Sequence, residues 1–392
     1  MTTLSGICSD GFGRVADVLS SAADELAPGG AAFAVYRDGK PLIDLWTGHS
    51  RPGVPWTDDT PTVLMSATKG ITALAVQILT DRGLVDVDRP MADYWPGFAV
   101  NGKEAVLVRH VLSHTAGLTS VPGHTAIFRG DGGGWDREAD VIAALESATP
   151  SWTPGTRVGY HGFTFGWLLG ELVRRVTGIS LGAFIRQEIA EPLKLDLGLG
   201  ASGDARRRLA RVIGPQRTAT DAPEVKEFWR RATDPEDALG AMLLAVDGEC
   251  ALTIVEPFFN DGPGANLELG SSTGVATARA LAGMYQALAS PEGFQGTRLV
   301  SSESVQMFAQ EQVAGNDQFS GLPCRWALGY QMSGSEFVSF GPSAGAFGHG
   351  GFGGQVGWAD PQRAISGGFV RSHLVGFDLS NRLIDALYVA LD

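Results

Sequence analysis

Residues 64–79 read LMSATKGITALAVQIL, a short polar segment that runs directly into an apolar stretch. The apolar stretch predicts a helix, with Ser66 at its start and Lys69 three residues further on. Residues at i and i+3 share one face of a helix, so the Lys69 nitrogen would lie beside the Ser66 hydroxyl. A neutral lysine amine can accept the serine proton, which makes Ser-x-x-Lys a compact pair of nucleophile and base. The alternative is a capping serine followed by an ordinary surface lysine.

The composition favours the catalytic interpretation of this pair. The chain has 30 Lys and Arg residues, but only five of them are Lys, and no other Lys has a Ser three residues before it. Arginine does not lose its proton in proteins, so an arginine-rich chain is expected to keep lysine where a neutral amine is needed.

The bulk properties are those of an ordinary globular protein. The 392 residues are 44% hydrophobic and 19% charged, and this length fits two or three domains or one large composite domain. A net charge of -13 with no basic run argues against a nucleic-acid partner.

The sequence shows no targeting or membrane signal. The N-terminus lacks the basic and apolar regions of a signal peptide, and no run of about 18 apolar residues could span a membrane. We therefore expect a cytoplasmic protein without a membrane partner. Cys8, Cys250 and Cys324 are widely spaced and form neither a metal pattern nor a disulfide framework.

The apolar periodicity predicts strands near both ends of the chain and helices between them. Near the N-terminus we predict a helix over 10–26 and a hairpin of strands 31–36 and 41–46. Residues 66 to about 199 are mostly helical in pattern. The further predicted helices are 138–147, 163–176, 181–189, 271–288, 301–309 and 381–391, and the further strands are 327–332, 355–359 and 365–371.

Residues 200–268 have the least regular pattern. Charged helical pieces alternate there with Pro, Gly and four aromatic residues that look exposed, Phe228, Trp229, Phe258 and Phe259. Such a segment commonly forms a wall or lid over a pocket, where these rings would suit an apolar group, and a plain surface excursion is equally compatible.

Two further stretches carry chemistry. Residues 152–162, WTPGTRVGYHG, place Tyr160 in a loop directly before a predicted helix. A tyrosine near Ser and Lys can act as a base or proton shuttle, although a tyrosine ring packed in the core is the simpler alternative. Residues 348–354, GHGGFGG, precede a strand, and their small residues would let a backbone N–H face an oxyanion. This stretch also matches the dinucleotide pattern, but a strand follows instead of a helix, so we reject nucleotide binding.

Two Gly-x-Ser-x-Gly matches, at 270–274 and 341–345, offer competing nucleophiles. Ser272 has His349 and His373 downstream, in the order of an α/β-hydrolase triad. That fold requires repeated strand–helix alternation before the nucleophile, whereas the middle of this chain is helical. With 53 Gly in the chain, chance matches are expected.

A metal site has little support. His110 and His114 are spaced i, i+4 and could ligate zinc, but the intervening Glu of a metalloprotease helix and a third ligand are missing. We expect a structural pair and no metal or cofactor.

Three motifs in a fixed order, Ser66-x-x-Lys69, Tyr160 and His349-Gly350-Gly351, together resemble the class C β-lactamase family. That family also contains penicillin-binding proteins, D-aminopeptidases and the family VIII carboxylesterases. The stretch 112–118, LSHTAGL, resembles a turn of the family as well. The similarity covers about residues 12–390 and is weakest over 200–265.

The resemblance implies an α+β, β-lactamase/transpeptidase-like fold. An antiparallel sheet flanked by helices would come from residues 1–62 and 268–392. A mostly helical domain would come from 63–267, with a lid-like excursion at about 200–265. The active site would lie in the cleft between the two.

The resemblance also assigns roles. Ser66 would be the acylated nucleophile, which Lys69 and Tyr160 deprotonate before they return the proton to the leaving group. The oxyanion hole would consist of the backbone N–H groups of Ser66 and Phe352. The substrate-binding positions would be His349, Gly350, Gly351 and His161.

Two departures from the lactamase pattern concern substrate choice. Lactamases have Tyr-Ser/Ala-Asn where this chain has Tyr160-His161-Gly162, and Lys-Thr-Gly where it has His349-Gly350-Gly351. The missing Asn would bind the acylamino group of a β-lactam, and the missing Lys would attract its carboxylate. A neutral histidine is a weaker and pH-dependent replacement. Both departures remove β-lactam recognition while acyl transfer is retained.

These observations predict a serine hydrolase, a carboxylesterase that cleaves small or medium carboxylic esters through an acyl-enzyme on Ser66. One alternative is an acyltransferase or amide-handling enzyme, such as a transacylase or a D-aminopeptidase-like enzyme. The other is a β-lactamase or a slow-turnover penicillin-binding protein. The expected partner is a small ester or amide, and the oligomeric state stays open.

Overall fold

The computed structural model describes residues 3–215, 223–334 and 337–392. Its strands, in chain order, are β1 Ser5–Cys8, β2 Gly30–Arg37, β3 Lys40–Arg51, β4 Val54–Pro55, β5 Thr62–Val63, β6 Leu197–Leu199, β7 Gly274–Ala276, β8 Val313–Asn316, β9 Pro323–Trp326, β10 Gln331–Met332, β11 Phe347–Gly351, β12 Gln355–Asp360 and β13 Ile365–Arg371.

Most of the described helices lie between β5 and β8. In chain order they are α1 Gly13–Ser21, α2 Ala23–Leu26, α3 Thr68–Asp81, α4 Met91–Tyr94, α5 Val108–Leu112, α6 His124–Ile127, α7 Glu138–Ser147, α8 Thr164–Thr177, α9 Leu181–Ile185, α10 Glu191–Leu193, α11 Gly203–Arg208, α12 Pro223–Ala232, α13 Ala238–Met242, α14 Val255–Asn260, α15 Ala278–Ala289, α16 Ser302–Phe308 and α17 Asp378–Leu391. Among the described residues, no helix combines the length and apolar character that a membrane crossing requires.

One large antiparallel sheet joins the two ends of the chain. Its strand order is β1-β3-β2-β13-β12-β11-β10-β9-β8, and β4 pairs with β3. The N-terminal strand β2 lies directly beside the C-terminal strand β13, with Ala34 opposite Gly368. The sheet, its flanking helices and the helical middle confirm the predicted α+β fold, while the domain boundaries themselves stay a prediction.

The two faces of the sheet differ in side-chain size. Large side chains such as Phe33, Trp358 and Phe369 pack together with residues of α1 and α17. Successive side chains of a strand point to opposite faces of the sheet. The residues that alternate with these large side chains therefore lie on the other face, and several of them are small. Gly357 and Gly368 lie there under α15, which approaches the strand backbone closely.

A second sheet of three strands, in the order β5-β7-β6, lies close to the start of α3. The sequence pattern missed it, and the predicted helix over 271–288 is wrong in its first part. Residues 274–276 pair with both β5 and β6, so their backbone hydrogen bonds are used between strands. The helix begins only after Thr277, whose hydroxyl accepts a hydrogen bond from the Ala280 N–H as an N-cap.

Other predicted elements need smaller corrections. The predicted helix 10–26 is two helices, α1 and α2. Of the predicted strand 327–332, only Gln331–Met332 is a strand, β10, because the chain turns at Gly329, where φ is +83°. The glycine-rich stretch before residue 355 contains a strand of its own, β11.

In the excursion over 200–265, two of the four aromatic residues that were predicted to be exposed are buried. Phe258 and Phe259 are buried in the core, and Phe258 packs against Trp135 at 5.0 Å between ring centroids. Phe228 is 37% exposed and lies on the surface. The excursion reaches the neighbourhood of Lys69 through another residue, Met242 of α13, which contacts Gly162.

We predict that Gly368→Ala destabilises the fold by about 1–3 kcal/mol, the usual cost of overpacking a core. A Cβ at this position would lie 2.6 Å from the Ala278 carbonyl oxygen and 2.9 Å from the Ala282 nitrogen, both on α15. Urea unfolding measures the change. Gly345→Ala is the matched control, because a Cβ there meets no atom within 4 Å. Equal unfolding free energies for the two variants would contradict the close helix–sheet contact.

Candidate active site

Ser66 lies in a single 3-10 turn, Met65–Ala67, that leads directly into α3. Met65 before it has φ +50°, a left-handed conformation that few non-glycine residues adopt and that often marks functional sites. Ser66 is partly exposed, whereas its two neighbours in the turn are buried. The turn therefore leaves the serine side chain partly accessible to solvent.

Lys69 is fully buried, with 0% of its surface exposed. Its Nζ lies 3.1 Å from Ser66 Oγ, 2.7 Å from the Gly162 carbonyl oxygen and 3.0 Å from the Ser271 carbonyl oxygen. Burial holds the pKa of Lys69 well below its usual value. A neutral amine has two N–H groups for the two carbonyls and one lone pair for the Ser66 proton, which matches these partners. The surface-lysine alternative is wrong.

Tyr160 lies near the same serine. Burial raises the pKa of Tyr160 above its usual value, an interaction with the Ser66 side chain opposes this rise, and the charge of Asp317 adds to it. The Lys69 nitrogen lies 4.8 Å from the centre of the tyrosine ring. Since the pKa of Lys69 falls and that of Tyr160 rises, Lys69 is the better proton acceptor, and Tyr160 is suited to relay a proton.

Strand β11 carries the third motif against the nucleophile turn. A Cβ at Gly351 would lie 2.2 Å from the Leu64 carbonyl oxygen and 3.0 Å from the Ala67 nitrogen, so only glycine permits this approach. Phe352 follows directly, and its N–H stands at the end of the strand that contacts the turn. This placement is compatible with the oxyanion hole predicted from the N–H groups of Ser66 and Phe352.

His349 is buried, and its Nδ1 lies 2.7 Å from the Gly350 carbonyl oxygen. Burial, together with the nearby Lys69, lowers the pKa of His349 to about 3. The ring is therefore neutral at neutral pH and supplies no cation for a substrate carboxylate. Gly350 donates its N–H to the Gln331 side chain at 2.9 Å, which leaves this N–H engaged within the protein.

His161 faces the protein interior. Its Nε2 accepts a hydrogen bond from the Leu118 N–H at 3.2 Å, and its Nδ1 lies 2.8 Å from the Gly159 carbonyl oxygen. Burial lowers the pKa of His161 to about 4. Both ring nitrogens already have backbone partners, so neither is free to bind a substrate. The role of His161 in substrate binding stays a prediction.

The alternative nucleophile and the candidate zinc ligands make contacts within the protein. Ser272 is buried in the turn beside Ser271, whose carbonyl accepts from Lys69. His110 Nδ1 accepts from the Leu107 N–H, and His114 Nδ1 accepts from the His161 N–H. These two histidines thus serve separate backbone contacts, and no metal-binding cluster occurs among the residues that the structure describes.

Sequence reasoning missed three residues that contact the site. His114 packs its ring on Tyr160, at 4.8 Å between ring centroids, and Trp326 stacks on Tyr160 at 5.8 Å. Asp317 accepts a hydrogen bond from the Tyr160 N–H at 2.7 Å. His114 lies in the stretch 112–118 that resembles a turn of the family, but Trp326 and Asp317 carry no sequence signal, since only the fold brings β8 and β9 to this loop.

Comparison with known proteins agrees with this arrangement. The sequence model of the Beta-lactamase family matches residues 15–387, and the chain belongs to this family. Esterase/beta-lactamase LipL of Mycobacterium tuberculosis is 36% identical over 362 residues, which cover 88% of this chain and 78% of LipL.

Two solved structures are similar over nearly the whole chain. A penicillin-binding protein homolog from Caulobacter crescentus has a TM-score of 0.84 and 33% identity, covering 99% of this chain and 100% of its own. A family VIII carboxylesterase has a TM-score of 0.83 and 28% identity, with the same coverage of both chains.

We predict that the protein loses stability as the pH falls from about 6.5 toward 4. Burial lowers the pKa of His114, His161 and His349, so below about pH 6.5 the unfolded chain binds protons that the folded chain does not. Each histidine then contributes a slope of up to about 1.4 kcal/mol per pH unit. The contribution of each histidine to the unfolding free energy is fully present above the pKa that the histidine has in the unfolded chain. It is lost as the pH falls below that value.

Urea unfolding of the wild type and of His161→Gln at about pH 7.5, 6.5 and 5.5 measures this slope. The variant lacks one titrating group, so its unfolding free energy should fall less steeply, whatever its stability at pH 7.5. Identical slopes would contradict the assignment of His161 as a buried neutral histidine.

Proposed function

We propose that the chain is a serine ester hydrolase that forms an acyl-enzyme on Ser66 from small or medium carboxylic esters. The observation that carries this proposal is the buried Lys69, whose hydrogen-bond partners are two carbonyls and the Ser66 hydroxyl. The names of LipL and of the family VIII carboxylesterase support the same reaction.

In acylation, the Ser66 proton passes to the Lys69 amine while Ser66 Oγ bonds to the ester carbonyl carbon. The carbonyl oxygen becomes negative and is stabilised by the N–H groups of Ser66 and Phe352. The carbon–oxygen bond to the alcohol then breaks, and the departing alkoxide takes a proton through Tyr160 from Lys69. Water attacks the acyl-enzyme by the same route, its proton goes to Lys69, and Ser66 regains a proton as the acid leaves.

The surroundings of this machinery favour esters over β-lactams. His349 is neutral and buried, so it offers no positive charge to a drug carboxylate. Gly162 carries no side-chain amide, and a Cβ added there would lie 2.3 Å from the Met242 sulfur. The excursion over 200–265 thus occupies the space that a side chain at 162 would need.

We predict that Ser66→Ala lowers kcat/KM for p-nitrophenyl butyrate by about 10³-fold or more, because the nucleophile is removed. Ser272→Ala removes the hydroxyl of the competing motif and should retain the activity. Nitrocefin is compared alongside, and intact masses are taken at early times. Ester hydrolysis that survives in Ser66→Ala would overturn the assignment of the nucleophile.

Two other outcomes would redirect the proposal. A stable acyl adduct on Ser66 without turnover would indicate an acyltransferase that lacks its acceptor, or a slow-turnover penicillin-binding protein. Addition of candidate amines and alcohols would then separate these two. Nitrocefin cleavage faster than ester cleavage would indicate a β-lactamase.

A second prediction concerns the contact between Gly162 and Met242. Gly162→Ala should lower kcat about tenfold, because the new methyl group meets Met242 and displaces the Gly162 carbonyl that holds Lys69. The double variant with Met242→Ala should recover most of this loss, which would appear as a favourable coupling between the two sites. Additive effects in this double-mutant cycle would contradict the contact.

A further inference from the structure

The hairpin of β8 and β9 contacts Tyr160 at two points. Asp317, at the start of the turn, accepts a hydrogen bond from the Tyr160 N–H at 2.7 Å. Trp326, at the end of β9, stacks on the Tyr160 ring with 5.8 Å between centroids and 22° between planes. The same hairpin continues through β10 to β11, which carries His349. It therefore links the tyrosine loop to the strand of the third motif.

The Asp317 carboxylate is buried, with 8% of the residue exposed. Its second oxygen accepts from the N–H groups of Phe319 and Ser320, both at 3.0 Å, and from the Ser320 hydroxyl at 3.2 Å. In the described part of the chain all of its hydrogen bonds come from neutral donors. A charge held this way is not cancelled by a neighbouring cation and acts on nearby groups through a medium of low dielectric.

The other titratable groups that surround Tyr160 are Lys69 of α3, His114 and His161 of the neighbouring loops, and His349 of β11. Burial lowers the pKa of each of the three histidines, so they are neutral at neutral pH. Burial is the main cause of the raised pKa of Tyr160, and the charge of Asp317 adds to it.

We propose that Asp317 is a positioning residue: it fixes the Tyr160 backbone, and so the hydroxyl beside Ser66, and its negative charge sets the pH range in which Ser66 is activated. The proposal rests on the proposed function only in assigning proton transfer from Ser66 to Lys69 and Tyr160. Asp317 itself contacts neither the nucleophile nor a substrate.

The sign of the effect follows from electrostatics. A negative charge favours the protonated form of a phenol, so removal of the Asp317 charge lowers the pKa of Tyr160. Activation of Ser66 requires a deprotonated acceptor. The acid limb of the pH–rate profile, where protonation of the acceptor slows the reaction, should therefore move to lower pH when Asp317 loses its charge and the Ser66 proton passes through Tyr160.

The test uses the full chain with two substitutions, Asp317→Asn and Asp317→Ala. The matched control is Asp360→Asn, because Asp360 is also a buried carboxylate and accepts from Ser343 and Tyr388 in the core packed against α17. Two rates are followed against pH. One is the hydrolysis of p-nitrophenyl butyrate, and the other is the labelling of Ser66 by a fluorophosphonate probe, detected by intact mass. In the labelling step Ser66 Oγ bonds to phosphorus, fluoride leaves, and the serine proton goes to the acceptor.

We expect Asp317→Asn to shift the acid limb of labelling down by about half to one pH unit, the usual effect of one nearby charge. Asp317→Ala should show the same shift and a roughly 10- to 100-fold lower maximum rate, because the Tyr160 N–H also loses its acceptor. Asp360→Asn should keep the acid limb of the wild-type pH–rate profile even if the variant is less stable. A loss of stability alone does not change the pH at which Ser66 is activated.

An unchanged limb in both Asp317 variants would overturn the electrostatic part of the proposal, and a wild-type maximum rate in Asp317→Ala would overturn the positioning part. Wild-type protein that labels at Ser66 but hydrolyses no ester would contradict the proposed function alone, and the labelling profiles would still decide the role of Asp317. A wild-type Ser66 that does not react with the probe would overturn both.

Discussion

The site depends on one lysine, Lys69, that the fold buries completely. Lys69 has two backbone carbonyls and the Ser66 hydroxyl as its partners, and an ammonium in that position would lack the compensation that a buried charge needs. The two carbonyls come from residues 162 and 271, both far beyond α3 in sequence. Folding of the loops before α8 and before β7 therefore creates the base, which does not exist in the helix alone.

The rest of the architecture brings two distant segments to the nucleophile and its base. The helical middle supplies the loop of Tyr160, and the large sheet supplies the strand that ends at Gly351. Small residues make the approaches possible, because a side chain at 351 would collide with the nucleophile turn, and one at 162 would collide with Met242. The same small residues reduce the number of polar side chains near the serine. Chemical reactivity is thus retained with few groups that could select a substrate by charge.

Much of this arrangement could be predicted from local sequence. The contact between Ser66 and Lys69 follows from helical spacing, and the α+β layout follows from strand patterns at the two ends. Local patterns failed where a partner far away in sequence decides the structure. Strand β7 was predicted as helix because its apolar residues fit both periods, and only β5 and β6 make it a strand. Phe258 and Phe259 looked exposed beside charged residues but are buried. Asp317 and Met242 carry no signal, since their roles depend on which loops meet.

The pairing of β2 with β13 places Ala34 beside Gly368, more than three hundred positions apart in the chain. A ribosome makes the serine, the lysine and the tyrosine long before it makes the strand that completes the sheet between β2 and β11. Non-local pairing of this kind slows folding, since the loop must close before its contacts form. An unfinished chain then holds its reactive groups without the arrangement that activates them. The enzyme becomes chemically competent only after residues 365–371 have been synthesised and paired.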